Sequence, residues 1–122
     1  MTNMADGKVY NLKKRILDFV LKIIQLAKDL PDNRINRIFI DQIVRSASGI
    51  GSNYEEADGT PTKRDFVYKM GIVKKEAKET KYWLTLIRFT NNSMFYDRID
   101  LLQGENEELI KIFATIIIRS KI

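Results

Sequence analysis

The sequence contains no cysteine and no histidine. Without cysteine there are no disulfides and no thiolate metal sites, and the redox compartment leaves no mark in thiols. Without histidine, Ser-His-Asp and Cys-His catalysis, histidine-ligated haem and most zinc sites are excluded. Proline is scarce: Pro31 and Pro61 both fall between regularly patterned segments, so they punctuate rather than interrupt. No apolar run approaches the roughly 20 residues that a membrane-spanning helix needs. The opening MTNMADGKVYNLKKR has neither the apolar stretch nor the small-residue cleavage site of a secretory signal. These absences favour a soluble, cytoplasmic chain with no membrane partner, no cofactor and no small-molecule substrate, and they weigh against an enzyme.

What remains is 122 residues, 44% hydrophobic and 30% charged. That composition can bury one core and has little surplus for a second, so residues 1–122 are expected to form a single domain. The formal net charge of +5 is compatible with nucleic acid, although excess lysine on a solvated surface is common.

Four segments carry helical spacing. In YNLKKRILDFVLKIIQLAKDL the residues Leu12, Ile16, Phe19, Val20, Ile23, Ala27 and Leu30 recur at steps of three and four, and Pro31 stops the helix. Leu17, Leu21 and Ile24 add a second apolar strip, wider than a simple surface helix needs. The next helix is expected from about Arg34 to Asp58, capped by Asp32 or Asn33. Ile35, Phe39, Ile43, Ser46 or Ala47, Ile50, Tyr54 and Ala57 form its inner face. Thr62, with Asp65 three residues on, opens a third helix whose core face is Phe66, Met70, Val73, Ala77, Leu84 and Ile87, ending in FTNNS. A fourth runs from about Asp97, with Leu102, Leu109, Ile110, Phe113, Ile116 and Ile117 in phase and Gly104 weakening its first half. Short connections between four helices give an all-α fold, an antiparallel up-down-up-down four-helix bundle.

The stretch RSASGIGSNYEEADG, Arg45 to Gly59, invites a phosphate-loop reading. It lacks the lysine of a Walker loop after Gly51, lacks a third glycine at Tyr54, and follows no strand. The helical period passes through it unbroken, so Ser46, Gly49, Gly51 and Ser52 are expected to be small because helices meet there. A large residue at Gly51 should overpack the crossing. Arg45 and Asn53 bracket the run, with Asn53 on the core side in need of hydrogen-bond partners. Glu55, Glu56 and Asp58 could hold a hard cation, but such a run is more often a solvated face. Glu76 and Glu79 read first as partners for lysines.

Lys63, Lys74, Lys78 and Lys81 share one side of the third helix, with Lys75 adjacent, a stripe able to neutralise phosphates or simply a solvated face. No RNA-binding aromatic signature accompanies it. Tyr68, Ile72 and Trp83 lie on another side of that helix. Together with Leu17, Leu21 and Ile24 they suggest an interface between subunits, the alternative being a core that wraps further round.

QIVRSASGIGSNYEEADG followed by RDFVYKMGIVKKEAKETKYWLTLI resembles the 23S ribosomal RNA intervening-sequence proteins, most strongly from Gln42 to Ile87. The resemblance is carried by Arg45-Ser46, the small run, Ser52-Asn53, Asp65-Phe66 and Glu76 with Glu79. It implies bacterial up-down bundles that assemble into ring-shaped homopentamers and carry no established enzymatic activity. The accessory variability determinant of diversity-generating retroelements looks like a relative, and it binds nucleic acid and a reverse transcriptase through a basic surface. Gly49 departs from the family pattern, where a serine is usual, so the hydroxyl and any contact it makes are missing here. The expected function is therefore a self-assembling bundle, with nucleic acid or a reverse-transcriptase-like protein as partner. A structural adaptor with no nucleic-acid role is the rival.

Overall fold

The computed structural model describes residues 11–121. Four helices carry the fold: α1 (Leu12–Asp29), α2 (Arg34–Asp58), α3 (Lys63–Thr90) and α4 (Tyr96–Ser120), with a 3-10 turn at Ser93–Phe95 leading into α4. Among the described residues there is no strand. The chain is an all-α four-helix bundle. Contacts are densest between α2 and α3, followed by α3 with α4 and α1 with α2, and are fewer where α4 closes onto α1.

The helix ends follow from local chemistry. Asn33 caps α2, its side chain accepting from the Asn36 backbone N–H at 2.9 Å. Thr62 caps α3 through Oγ1, which accepts from Asp65 N–H at 3.1 Å. Both caps satisfy a backbone donor that has no partner inside its helix. Leu30 turns extended ahead of Pro31, which ends α1. Cross-links between α2 and α3 show the antiparallel course: Asn36 meets Asn91, Ser46 meets Thr80 and Glu56 meets Lys69, so numbers rise along one helix as they fall along the other.

The α1 face is buried as expected at Leu12, Ile16, Phe19, Val20, Ile23, Ala27 and Leu30, and Leu26 joins it. Met70, Val73, Ala77, Leu84 and Ile87 of α3 and Leu102, Leu109 and Phe113 of α4 complete the core, with Phe95 and Ile99 closing its end. Phe66, Ile110, Ile116 and Ile117 are only half-buried.

Ile35 corrects the expected α2 face. It is 49% exposed, and the buried residue beside it is Asn36. The reason is a reciprocal amide pair. Asn36 Nδ2 donates to Asn91 Oδ1 and Asn91 Nδ2 donates to Asn36 Oδ1, both at 2.9 Å. Asn36 Nδ2 also donates to the Pro31 carbonyl at 2.8 Å. Two satisfied amides fix the corner where α1 ends and α3 stops, and they turn Ile35 outward. A further polar layer crosses the middle of the core. The Ser46 and Thr80 hydroxyls are 2.8 Å apart, and buried Asn106 Nδ2 donates to the Ala77 carbonyl at 2.8 Å. Among the described residues Asn106 Oδ1 has no hydrogen-bond partner.

Candidate functional site

The small run from Arg45 to Asn53 lies wholly within α2. Its members face different neighbours. Ser46 is buried against Thr80 of α3. Gly51 faces α1, where an added Cβ would meet Ile16 and Val20 at 3.8 and 3.9 Å, ordinary contact distances. The crossing at Gly51 therefore has room for a methyl group, and the tightness expected there is found instead at Gly49. A Cβ at Gly49 would run into the Glu76 carboxylate of α3. Asn53 is half-buried and donates to the Gly49 carbonyl of its own helix at 2.8 Å, so it caps no neighbour. Arg45 and Ser52 are exposed.

Glu76 departs from the lysine pairing expected of it. No lysine reaches its carboxylate within ion-pair distance among the described residues. The group instead lies over Gly49, half-buried. Burial pushes its pKa up from the ordinary 4.5, and neighbouring Glu79 adds to the shift, while Lys75 and Arg45 act against it. The acidic end of α2 is tied down by salt bridges: Glu55 pairs with Lys13 at 3.0 Å and Glu56 with Lys69 at 2.6 Å. Among the described residues no cluster of acidic side chains is arranged to hold a metal ion.

The basic stripe of α3 divides in two. At about 100° per residue, Lys63, Lys74 and Lys81 fall on the flank toward α4. There Lys81 pairs with Glu107 at 3.1 Å, and Gln103 of α4 donates to the Lys81 carbonyl. Lys74 is half-buried and Lys63 exposed on the same flank. Lys75 and Lys78 are exposed further round, on the side of α3 turned away from the core, and Arg64 shares that side. Lys74, Lys75 and Lys78 make no ion pair within 4.0 Å among the described residues.

The two apolar strips differ in exposure. Leu17 and Leu21 are 56% and 54% exposed, and Tyr68 is 69% exposed. Ile24, Ile72 and Trp83 are half-buried, and Ile24 and Trp83 pack on the core. Trp83 stands against Phe39 of α2 with ring centroids 6.1 Å apart, which draws it inward from the expected interface strip. Leu17 borders a groove of about 760 Å³ between α1 and α2, with Ser48, Gly51 and Ser52 on one wall and Ile16 and Val20 on the other. Two exposed aromatics escaped the sequence reading, Tyr82 at 57% and Phe89 at 76%. Their signal was available in helix phase, since both stand opposite the buried α3 face.

A family model described as 23S rRNA-intervening sequence protein matches residues 8–115. Among solved structures, a protein with unknown function from the S23 ribosomal protein family of Bacteroides thetaiotaomicron is similar over 86% of this chain and 96% of its own. It is 32% identical, with a TM-score of 0.77. No curated protein matches the chain.

Proposed function

The chain belongs to the 23S rRNA-intervening sequence protein family, and from its surface we propose that it is a non-enzymatic bundle that assembles with copies of itself and binds nucleic acid through the basic side of α3. The observation that supports assembly is the exposure of Leu17 and Leu21 on α1, large apolar surface left uncovered by a single subunit. Ring assembly, a homopentamer by family resemblance, would repeat the α3 cations around one particle. Three unpaired lysines on one helix give weak phosphate binding, and repetition raises it by multivalency.

Light scattering tests the assembly: a mass well above 14.2 kDa at micromolar concentration is expected. A monomer at every concentration would remove the reading. Binding is expected to fall steeply with salt, and Lys74→Glu with Lys78→Glu should flatten that dependence.

The adaptor reading draws support from one feature, the groove of about 570 Å³ between α1 and α4. Phe19 and Leu102 floor it, exposed Leu101 borders it, and Arg15, Lys22 and Glu105 supply charges of both signs. A mixed-charge rim around an apolar floor suits a protein segment better than a polyanion.

A further inference from the structure

We propose that the outward ridge of α3 is a track for single-stranded nucleic acid, on which Tyr82 and Phe89 stack bases and Arg64, Lys75 and Lys78 hold phosphates. The proposal rests on the reading that the basic side of α3 meets nucleic acid, and it names the strand form recognised.

Placement carries the argument. At about 100° per residue, Arg64, Lys75, Lys78, Tyr82 and Phe89 all project within roughly 40° of one direction. That direction is opposite the buried line of Met70, Val73, Ala77 and Leu84. All five are exposed. Two turns of helix, about 10.5 Å, separate Tyr82 from Phe89, and one turn, about 6 Å, separates Lys78 from Tyr82. Arg64, Lys75 and Lys78 thus occupy the first half of the ridge, with the exposed ring of Tyr68 beside them, and Tyr82 and Phe89 occupy the second. The nearest acid to this line is Glu79, exposed and set about 40° round toward α2 from Lys75, one turn before it. The ridge therefore presents three cations and two aromatic faces, with the single carboxylate of Glu79 along its α2 edge.

The ring geometry adds selectivity. Tyr82 meets Trp83 edge-on, with centroids 5.2 Å apart and planes at 68°. Trp83 is braced in turn by Phe39. The Tyr82 ring is thereby held in place while more than half of the residue stays exposed. A ring fixed before binding loses little conformational freedom when a base stacks on it. Phe89 has no polar group to satisfy, so its exposure at 76% gains nothing from water. Bases in a duplex are stacked on one another about 3.4 Å apart and hide their faces. Rings about 10.5 Å apart instead suit bases splayed from a single strand, and stacking of this kind tolerates any sequence. An apolar partner protein would use the rings equally well but would leave Arg64, Lys75 and Lys78 unmatched. Charge complementarity therefore favours the polyanion.

Fluorescence anisotropy with a labelled 20-nucleotide single strand and a 20-base-pair duplex decides it. The single strand should bind more tightly than the duplex at equal salt, and Trp83 emission should change on binding because its neighbour Tyr82 is stacked upon. The double variant Tyr82→Ala, Phe89→Ala should lose roughly tenfold or more in single-strand affinity. Its duplex binding and particle mass should be unchanged, its melting temperature should fall only by the small loss of the Tyr82–Trp83 edge contact, and Tyr82→Phe should keep the affinity. Equal binding of both strand forms, unaffected by the double variant, overturns the stacking track and leaves the basic-surface reading standing. No binding of either form at low salt overturns both.

Discussion

Glycine has opposite consequences at different positions of this chain. Gly104 sits in the interior of α4, and nothing lies within 4 Å of the place a Cβ would take. There the residue only costs backbone entropy, so Gly104→Ala should stabilise by about 0.5–1 kcal/mol. At Gly49 the added methyl meets the Glu76 carboxylate, which must swing aside. Gly49→Ala should therefore stabilise less than Gly104→Ala, because the end of the Glu76 side chain has to move. Thermal melts of the two variants beside the parent check the order. Equal midpoints would mean that Glu76 moves without cost. Glu76 itself sets a pH dependence. Its folded pKa is raised above the ordinary 4.5, so the folded chain holds this proton more tightly than the unfolded chain. Stability from this group is greatest below the unfolded value, and it declines as pH rises through 4.5 toward the folded value. Glu76→Gln removes the carboxylate charge, so it should stabilise at neutral pH and lose that advantage in acid. Melts at pH 7 and pH 3.5 test the sign, and a gain that is larger in acid would contradict it.

Among the elements, α1 is held differently from the rest. It meets α2 through small residues and apolar side chains, but its seam with α4 depends on charge. Arg15 donates to Glu105 through Nε at 2.8 Å and Nη2 at 2.7 Å, and Nη2 also donates to Glu108 at 2.6 Å. Arg98 of α4 reaches Asp29 at 2.8 Å near the other end of α1. The bidentate geometry gives the Arg15 clasp more than an ordinary surface pair, while its partial exposure keeps it sensitive to salt. Arg15→Ala should cost about 1–2 kcal/mol. It should also speed amide hydrogen exchange in α1 more than in α3, which packs against both α2 and α4. Exchange that accelerates equally in all helices would show that α1 does not open separately.

For the whole molecule, the balance between core and exposed apolar surface bears on assembly. Leu17 and Leu21 stand in water on a single subunit, so charging them should barely disturb the monomer fold, by about 0.5 kcal/mol or less. If they lie between subunits, the parent's melting temperature should rise with protein concentration, because association stabilises the folded chain by mass action. Leu17→Glu with Leu21→Glu should abolish that rise. Calorimetry across a hundredfold concentration range reads both effects. A parent whose midpoint does not depend on concentration would argue that these leucines face solvent in the working state.

The sequence alone specifies the helices, because their signals are local. Asn33 and Thr62 cap, Pro31 cannot continue α1, and apolar steps of three and four mark the inner faces. It determined that the glycine-rich stretch is helix, since the period never resets there. Whatever depends on a neighbouring helix emerges only with the packed fold. Asn36 displaces Ile35 from the core because Asn91, fifty-five residues away, completes its hydrogen bonds. Gly49 is the crowded glycine because Glu76 comes over it from α3, and Gly51 is the roomier one because Ile16 and Val20 stop at contact distance. The lysines of α3 share a helix, yet Glu107 of α4 takes Lys81 and leaves Lys75 and Lys78 to the outer ridge. Helical period is a property of consecutive residues, whereas burial and charge pairing depend on which side chains another helix brings near.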